Sequence, residues 1–159
     1  MTAELEGSLS KIASLSNTLN EASDQVSKQL AEIESALNAY RLGIEAWVKE
    51  PFVDEYFTTD PDKDGNRHVL NEAKKLGYGK FRGKWGLLVE SVTAGSEEVW
   101  LPETVFLNDA PRETRLKAVD KIPELLEAIT GQLVKTTEQA SKKAAQAEEI
   151  AAALRKKQR

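Results

Sequence analysis

The chain has 159 residues, the size of one domain, and sets 22 Lys and Arg against 26 Asp and Glu for a formal charge of -4. That mild acidity argues against a DNA-wrapping or polybasic membrane protein. The absence of cysteine removes disulfides, thiolate nucleophiles and Cys-type zinc sites, and a lone histidine, His68, removes any constellation that needs two.

The first residues, Met1-Thr-Ala-Glu-Leu-Glu6, are acidic where a secretory signal is basic and then apolar, so a cytoplasmic protein is expected. No apolar run approaches the roughly 18 residues of a membrane span, and no membrane association is expected. From Leu5 to Trp47 the sequence carries an unbroken heptad. Leu5, Leu9, Ile12, Leu19, Val26, Leu30, Ile33, Leu37, Tyr40, Ile44 and Trp47 alternate steps of four and three, interrupted only by Ser16 and Ser23. The spacing predicts one long helix over residues 1–50 with a packed seam, stopped by Pro51. The only charges beside this seam are Glu6, Glu34 and Arg41.

Residues 51–107 change character, concentrating proline, glycine and tryptophan, and read as a β-meander insert. Within it, Asp60-Pro-Asp-Lys-Asp-Gly-Asn66 resembles the opening of a calcium-binding EF-hand loop, in which alternate carboxylates converge as the chain curls at a glycine. The twelfth position is Asn71 instead of Glu, and the apolar eighth position is Arg67, so a solvated turn is the reading adopted. Leu76–Phe81 and Trp85–Val92 read as two strands joined by a three-residue loop, Arg82-Gly-Lys84. Glu97–Leu101 forms a third strand, closed by Pro102. That loop puts Phe81 on the apolar face of Trp85, Leu87 and Val89, and turns Tyr78, Lys80 and Arg82 outward. The apolar face is expected to pack on Trp47, Phe52 and a helix near Leu116 and Val119.

Residues 108–159 return to helix formers. Asn108 or Asp109 can cap a helix with Pro111 in its first turn, and Pro123 is expected to kink it. From Ile122 through Leu126, Ile129, Leu133, Ala140, Ala147, Ile150 and Leu154 the four-three spacing resumes, with Thr136 and Lys143 as the polar members. Folding this seam back on the first sets Trp47 against Ile122, Leu37 against Leu133 and Leu30 against Ala140. The fold class expected is therefore α+β: a long, coiled-coil-like antiparallel helical hairpin with a small three-stranded antiparallel sheet inserted at its closed end, all in a single domain spanning 1–159. The second seam has no charged flanks at all. Charge-poor stripes of this width predict that each helix meets more than one neighbour, as when two hairpins pair into a four-helix homodimer.

Catalysis finds no support. His68 has no partner set, Glu97 and Glu98 point to opposite strand faces, and the glycines at 77, 79, 83 and 86 precede no helix as a phosphate loop would require. No catalytic residue, metal site or cofactor is assigned. Lys74, Lys75, Lys80, Arg82 and Lys84 form a basic stretch interleaved with Tyr78, Phe81 and Trp85, a pattern that can follow a phosphate backbone. The acidic segment from Asp54 to Asp64 offers intramolecular neutralisation as the simpler account. The function read from the sequence is a non-enzymatic assembly or protein-interaction module. It self-associates through its helices and offers Tyr78, Lys80, Arg82 and Lys84 to an unknown protein partner. A nucleic-acid-associated protein using the hairpin 74–84 is the alternative.

Overall fold

The computed structural model describes residues 2–95 and 101–159. It is a mixed helix and sheet fold. Helix α1 spans Ala3–Ala39 and is followed by strands β1 (Ala46–Trp47), β2 (Val53–Thr58), β3 (Val69–Phe81), β4 (Lys84–Ala94) and β5 (Glu103–Phe106). A 3-10 turn at Leu107–Asp109 leads to α2 (Arg112–Val119) and α3 (Ile122–Lys157). No described helix is long and apolar enough to cross a membrane.

The first helix starts where its sequence allows. The Thr2 hydroxyl accepts the Leu5 N–H at 3.3 Å, and Glu4 and Glu6 sit at the positive pole of the helix. It ends at Ala39, well before Pro51. The N–H groups of Tyr40 and Arg41 bond back to the carbonyls of Leu37 and Asn38, and Arg41 (φ 50°) and Gly43 (φ 62°) turn the chain through left-handed conformations. The heptad misleads here because two periods coincide. Ile44, Ala46 and Val48 are buried while Glu45 and Lys49 are exposed, which is the alternation of a strand.

Among the described residues the sheet has five antiparallel strands where three were expected. β3 and β4 form its long central hairpin; β1 and β2 follow one another along the free edge of β3, and β5 pairs with β4. The expected strand at 97–101 falls largely on residues 96–100, outside the described residues, as does Trp100; β5 begins beyond Pro102.

The β3–β4 loop has two residues, not three. Arg82 (φ 50°) and Gly83 (φ 79°) make the turn, and Phe81 pairs with Lys84. Both residues in left-handed conformations match the turn type whose twist suits a two-residue hairpin. That single residue of register moves every side chain to the other face. Tyr78 lies opposite Leu87 and Leu76 opposite Val89, and all four are buried in the helix-facing core. Phe81 goes to the far face, where its ring meets Phe106 edge-on at 5.5 Å. Also on that face, the Trp47 indole lies flush on Gly77, in space that a Cβ would occupy.

Two further expectations change at the helices. Pro123 lies in the first turn of α3, where its missing N–H costs no hydrogen bond, so it begins a helix instead of kinking one. The break falls at Asp120–Lys121. In α2 the buried residues are Thr114 and Ala118, whereas Leu116 and Val119 are 40% and 41% exposed.

The long helices do not form an antiparallel hairpin. Along α1, Asn20 and Ser23 accept from Arg112 and Arg115 of α2, Glu34 meets Leu87, and Asn38 meets Trp85 and Tyr78. The helix thus advances toward the β3–β4 turn. α2 anchors at the opposite end, where Lys74 donates to Thr114 at 3.1 Å and Lys117 reaches Glu55 at 3.1 Å. From there α3 passes onto β1, whose Ala46 and Trp47 pair with Tyr78 and Gly77, so it too advances toward the turn. The core gathers Leu30 and Leu37 of α1 with Ile122, Leu125 and Ile129 of α3 over Leu76, Tyr78, Leu87 and Val89. Beyond that core each helix runs on exposed among the described residues, as residues 3–22 at one end of the molecule, bonded to the rest at Asn20 by Arg112, and 137–157 at the other.

Candidate functional site

Three surfaces collect the side chains with chemistry left over after folding. One is a notch on the edge of β4. β5 stops at Phe106, opposite Leu88, which leaves the edge of Trp85-Gly86-Leu87 with no strand neighbour among the described residues. Helix α1 fills that role with side chains. The Leu87 N–H donates to Glu34 Oε2 at 2.9 Å, and Asn38 Nδ2 donates to the Trp85 carbonyl at 3.0 Å. Positions 34 and 38 are one helical turn apart, so both face the same edge. Gly86 permits the approach, since a methyl there would lie 2.6 Å from the Glu34 carboxylate.

The clasp extends inward. Tyr78 donates its phenolic proton to Asn38 Oδ1 at 2.7 Å, and its ring stacks on Trp85 with centroids 5.8 Å apart. Burial, and after it the Glu34 carboxylate, pushes the Tyr78 phenol above its ordinary pKa. Around the clasp lies a concavity of about 910 Å³, lined by Arg41, Leu42, Lys84, Trp85, Phe106 and Asp109 among others. Arg41 holds a left-handed backbone conformation that a residue with a side chain adopts at some cost. In the sequence Glu34 and Arg41 stand out only as rare charges beside the seam. That scarcity was the available signal for this notch; Asn38 carried none.

The second surface is the β3–β4 turn. Lys80, Arg82 and Lys84 are exposed there, and the Arg82 guanidinium lies 5.1 Å from the centre of the Phe81 ring. Tyr78 does not join them. At 1% exposure it belongs to the core, contrary to its expected place on the basic face. The aromatic ring beside the basic side chains is therefore the half-buried Phe81 under Arg82, and Tyr78 is not available for base stacking. Nor does the acidic segment neutralise it. Asp54 is bound by Asn71 at 2.7 Å, Glu55 by Lys117, and the Asp60–Asp64 loop connects β2 to the start of β3. Thirteen residues of β3 separate that loop from the turn, ~40 Å at strand rise. Screening at physiological salt acts over about 8 Å.

In the acidic loop, Asp62 Oδ1 accepts the N–H groups of Asp64 and Asn66, both at 2.9 Å, and Oδ2 lies 3.2 Å from His68 Nε2. These bonds, the Asn66 N–H foremost, hold the Asp62 carboxyl below its ordinary pKa. Gly65 (φ 78°) closes the turn. Among the described residues no three His, Asp or Glu side chains converge as a metal site would need. His68 is half of this turn's own bonding and stands just before β3.

The third surface is the pair of helical arms. Leu5, Leu9, Ile12 and Leu19 on α1, and Ile150 and Leu154 on α3, are 44–62% exposed although they occupy the heptad seams. No family model, curated protein or solved structure matches this chain.

Proposed function

We propose that the protein is a non-enzymatic assembly module that self-associates through its two helical arms and presents the β4 edge notch and basic turn to a protein partner. The observation that carries this is the apolar seam left uncovered on both arms. Most helical stability in a protein comes from packing the apolar face of the helix against a neighbour. Here the apolar stripes of residues 3–22 and 137–157 find no cover among the described residues. Leu and Ile repeated at heptad spacing on an exposed helix provide the chemistry of helix–helix association.

The sheet end supplies the complementary element. Arg41 and Lys84, together with Glu34 and Asp109, line a concavity floored by Trp85 and Phe106, and Arg with aromatic residues are the side chains most often found as binding anchors. An apolar insertion flanked by polar groups of both signs is the partner chemistry that this lining fits. Burial of Tyr78 weighs against the nucleic-acid reading of the hairpin 74–84.

Sedimentation of the full chain against the double variant Leu9→Asp/Ile150→Asp tests the reading. The unaltered chain is expected to sediment as an oligomer at micromolar concentrations, and the variant as a monomer with its near-ultraviolet circular dichroism unchanged, because neither residue touches the core. An unaltered chain that stays monomeric throughout the micromolar range would refute it.

A further inference from the structure

We infer that two copies associate antiparallel, the α1 arm of each lying against the α3 arm of the other, so that the seam the sequence pairs within one chain is completed between two. This rests on the self-association proposed above and specifies its geometry. Three observations point the same way.

First, the arms leave the body at opposite ends, and each is ~30 Å long. A second copy turned end for end places its α3 arm beside the first copy's α1 arm, and does the same at the other end by symmetry. This is a closed two-fold arrangement, with the same surface used on both copies.

Second, the seams interlock in that orientation. Leu5 meets Leu154, Leu9 meets Ile150 and Ile12 meets Ala147, each step of four matching a step of four and each step of three a step of three. The charged seam position Lys143 falls opposite the small Ser16. In the parallel orientation it would fall opposite Ile12.

Third, the charges are complementary. Residues 3–22 carry Glu4, Glu6 and Glu21 against Lys11. Residues 137–157 carry Lys142, Lys143, Arg155, Lys156 and Lys157 against Glu138, Glu148 and Glu149. Pairing α1 with α1 brings acid to acid, and α3 with α3 base to base. The antiparallel pair instead sets the acidic start of α1 beside the basic end of α3, which also opposes the two helix dipoles.

The absence of native cysteine makes the test direct. Full-length chains carrying Leu9→Cys are mixed with chains carrying Ile150→Cys and treated with a short bis-maleimide, each variant alone serving as control; Ser16→Cys with Lys143→Cys forms a second pair should the first be destabilised. The mixture is expected to cross-link at least tenfold more than either variant alone. Leu9→Cys linking to itself, or no excess in the mixture while light scattering reports a dimer, would overturn the antiparallel pairing and leave self-association standing. A monomeric mass would remove both.

Discussion

Tyr78 shows how one residue of register decides a surface. With a three-residue turn its ring would face solvent beside Lys80 and Arg82. With Arg82-Gly83 as the turn it enters the core, stacks on Trp85 and donates to Asn38 at 2.7 Å. Tyr78→Phe removes that hydrogen bond while keeping the ring, and a loss of about 1 kcal/mol is expected in urea unfolding. The same residue carries a pH dependence. Its folded pKa is raised above the ordinary 10.0 by burial and then by Glu34, so in strong base the unfolded chain releases the phenolic proton first. Its contribution is complete below pH 10 and declines as the pH climbs through the raised folded value. Unfolding midpoints measured from pH 8 to pH 11 should therefore fall less steeply for Tyr78→Phe than for the unaltered chain. An equal slope would mean that Tyr78 titrates alike in both states.

Among the elements, the edge clasp of α1 on β4 is the feature that no single-strand pattern could reveal. Glu34 and Asn38 act in place of a strand for three residues of β4, and Gly86 keeps the space they need. Glu34→Ala strands the Leu87 N–H at a half-buried edge. The expected cost is about 1–2 kcal/mol in the urea midpoint, with faster exchange of the Leu87 amide. An unchanged amide would show that β4 needs no clasp. The elements legible in the sequence were those with one dominant period: α1 through Ala39, the β3–β4 strands, and α3 beyond Ile122. Its end at Ala39 was obscured because Ile44 satisfies the heptad and the strand alternation together. β2 was missed because Val53–Thr58 is exposed at all but its first residue, which leaves no alternation to read. The notch was hinted at by the rare charges Glu34 and Arg41 alone, since its polar groups come from α1, β3, β4 and the segment after β5, which only the fold brings together.

For the whole molecule, the heptads marked helices as far as Ala39 and from Ile122 onward, overran into β1 at Ile44 and Trp47, and were misread as partners. Periodicity shows that a seam needs a counterpart, and says nothing about which chain supplies it. The sheet sends α1 and α3 in the same direction, so their apolar ends leave from opposite poles. The acidic loop and the basic turn are likewise placed at opposite ends of β3, beyond the reach of mutual screening. The central claim is that a second copy covers the arms, and amide hydrogen exchange read residue by residue at several protein concentrations tests it most directly. Protection of residues 5–19 and 140–154 is expected to rise together with concentration, while that of Leu76, Leu87 and Val89 stays constant. Arm amides that exchange at the same rate at every concentration would contradict it.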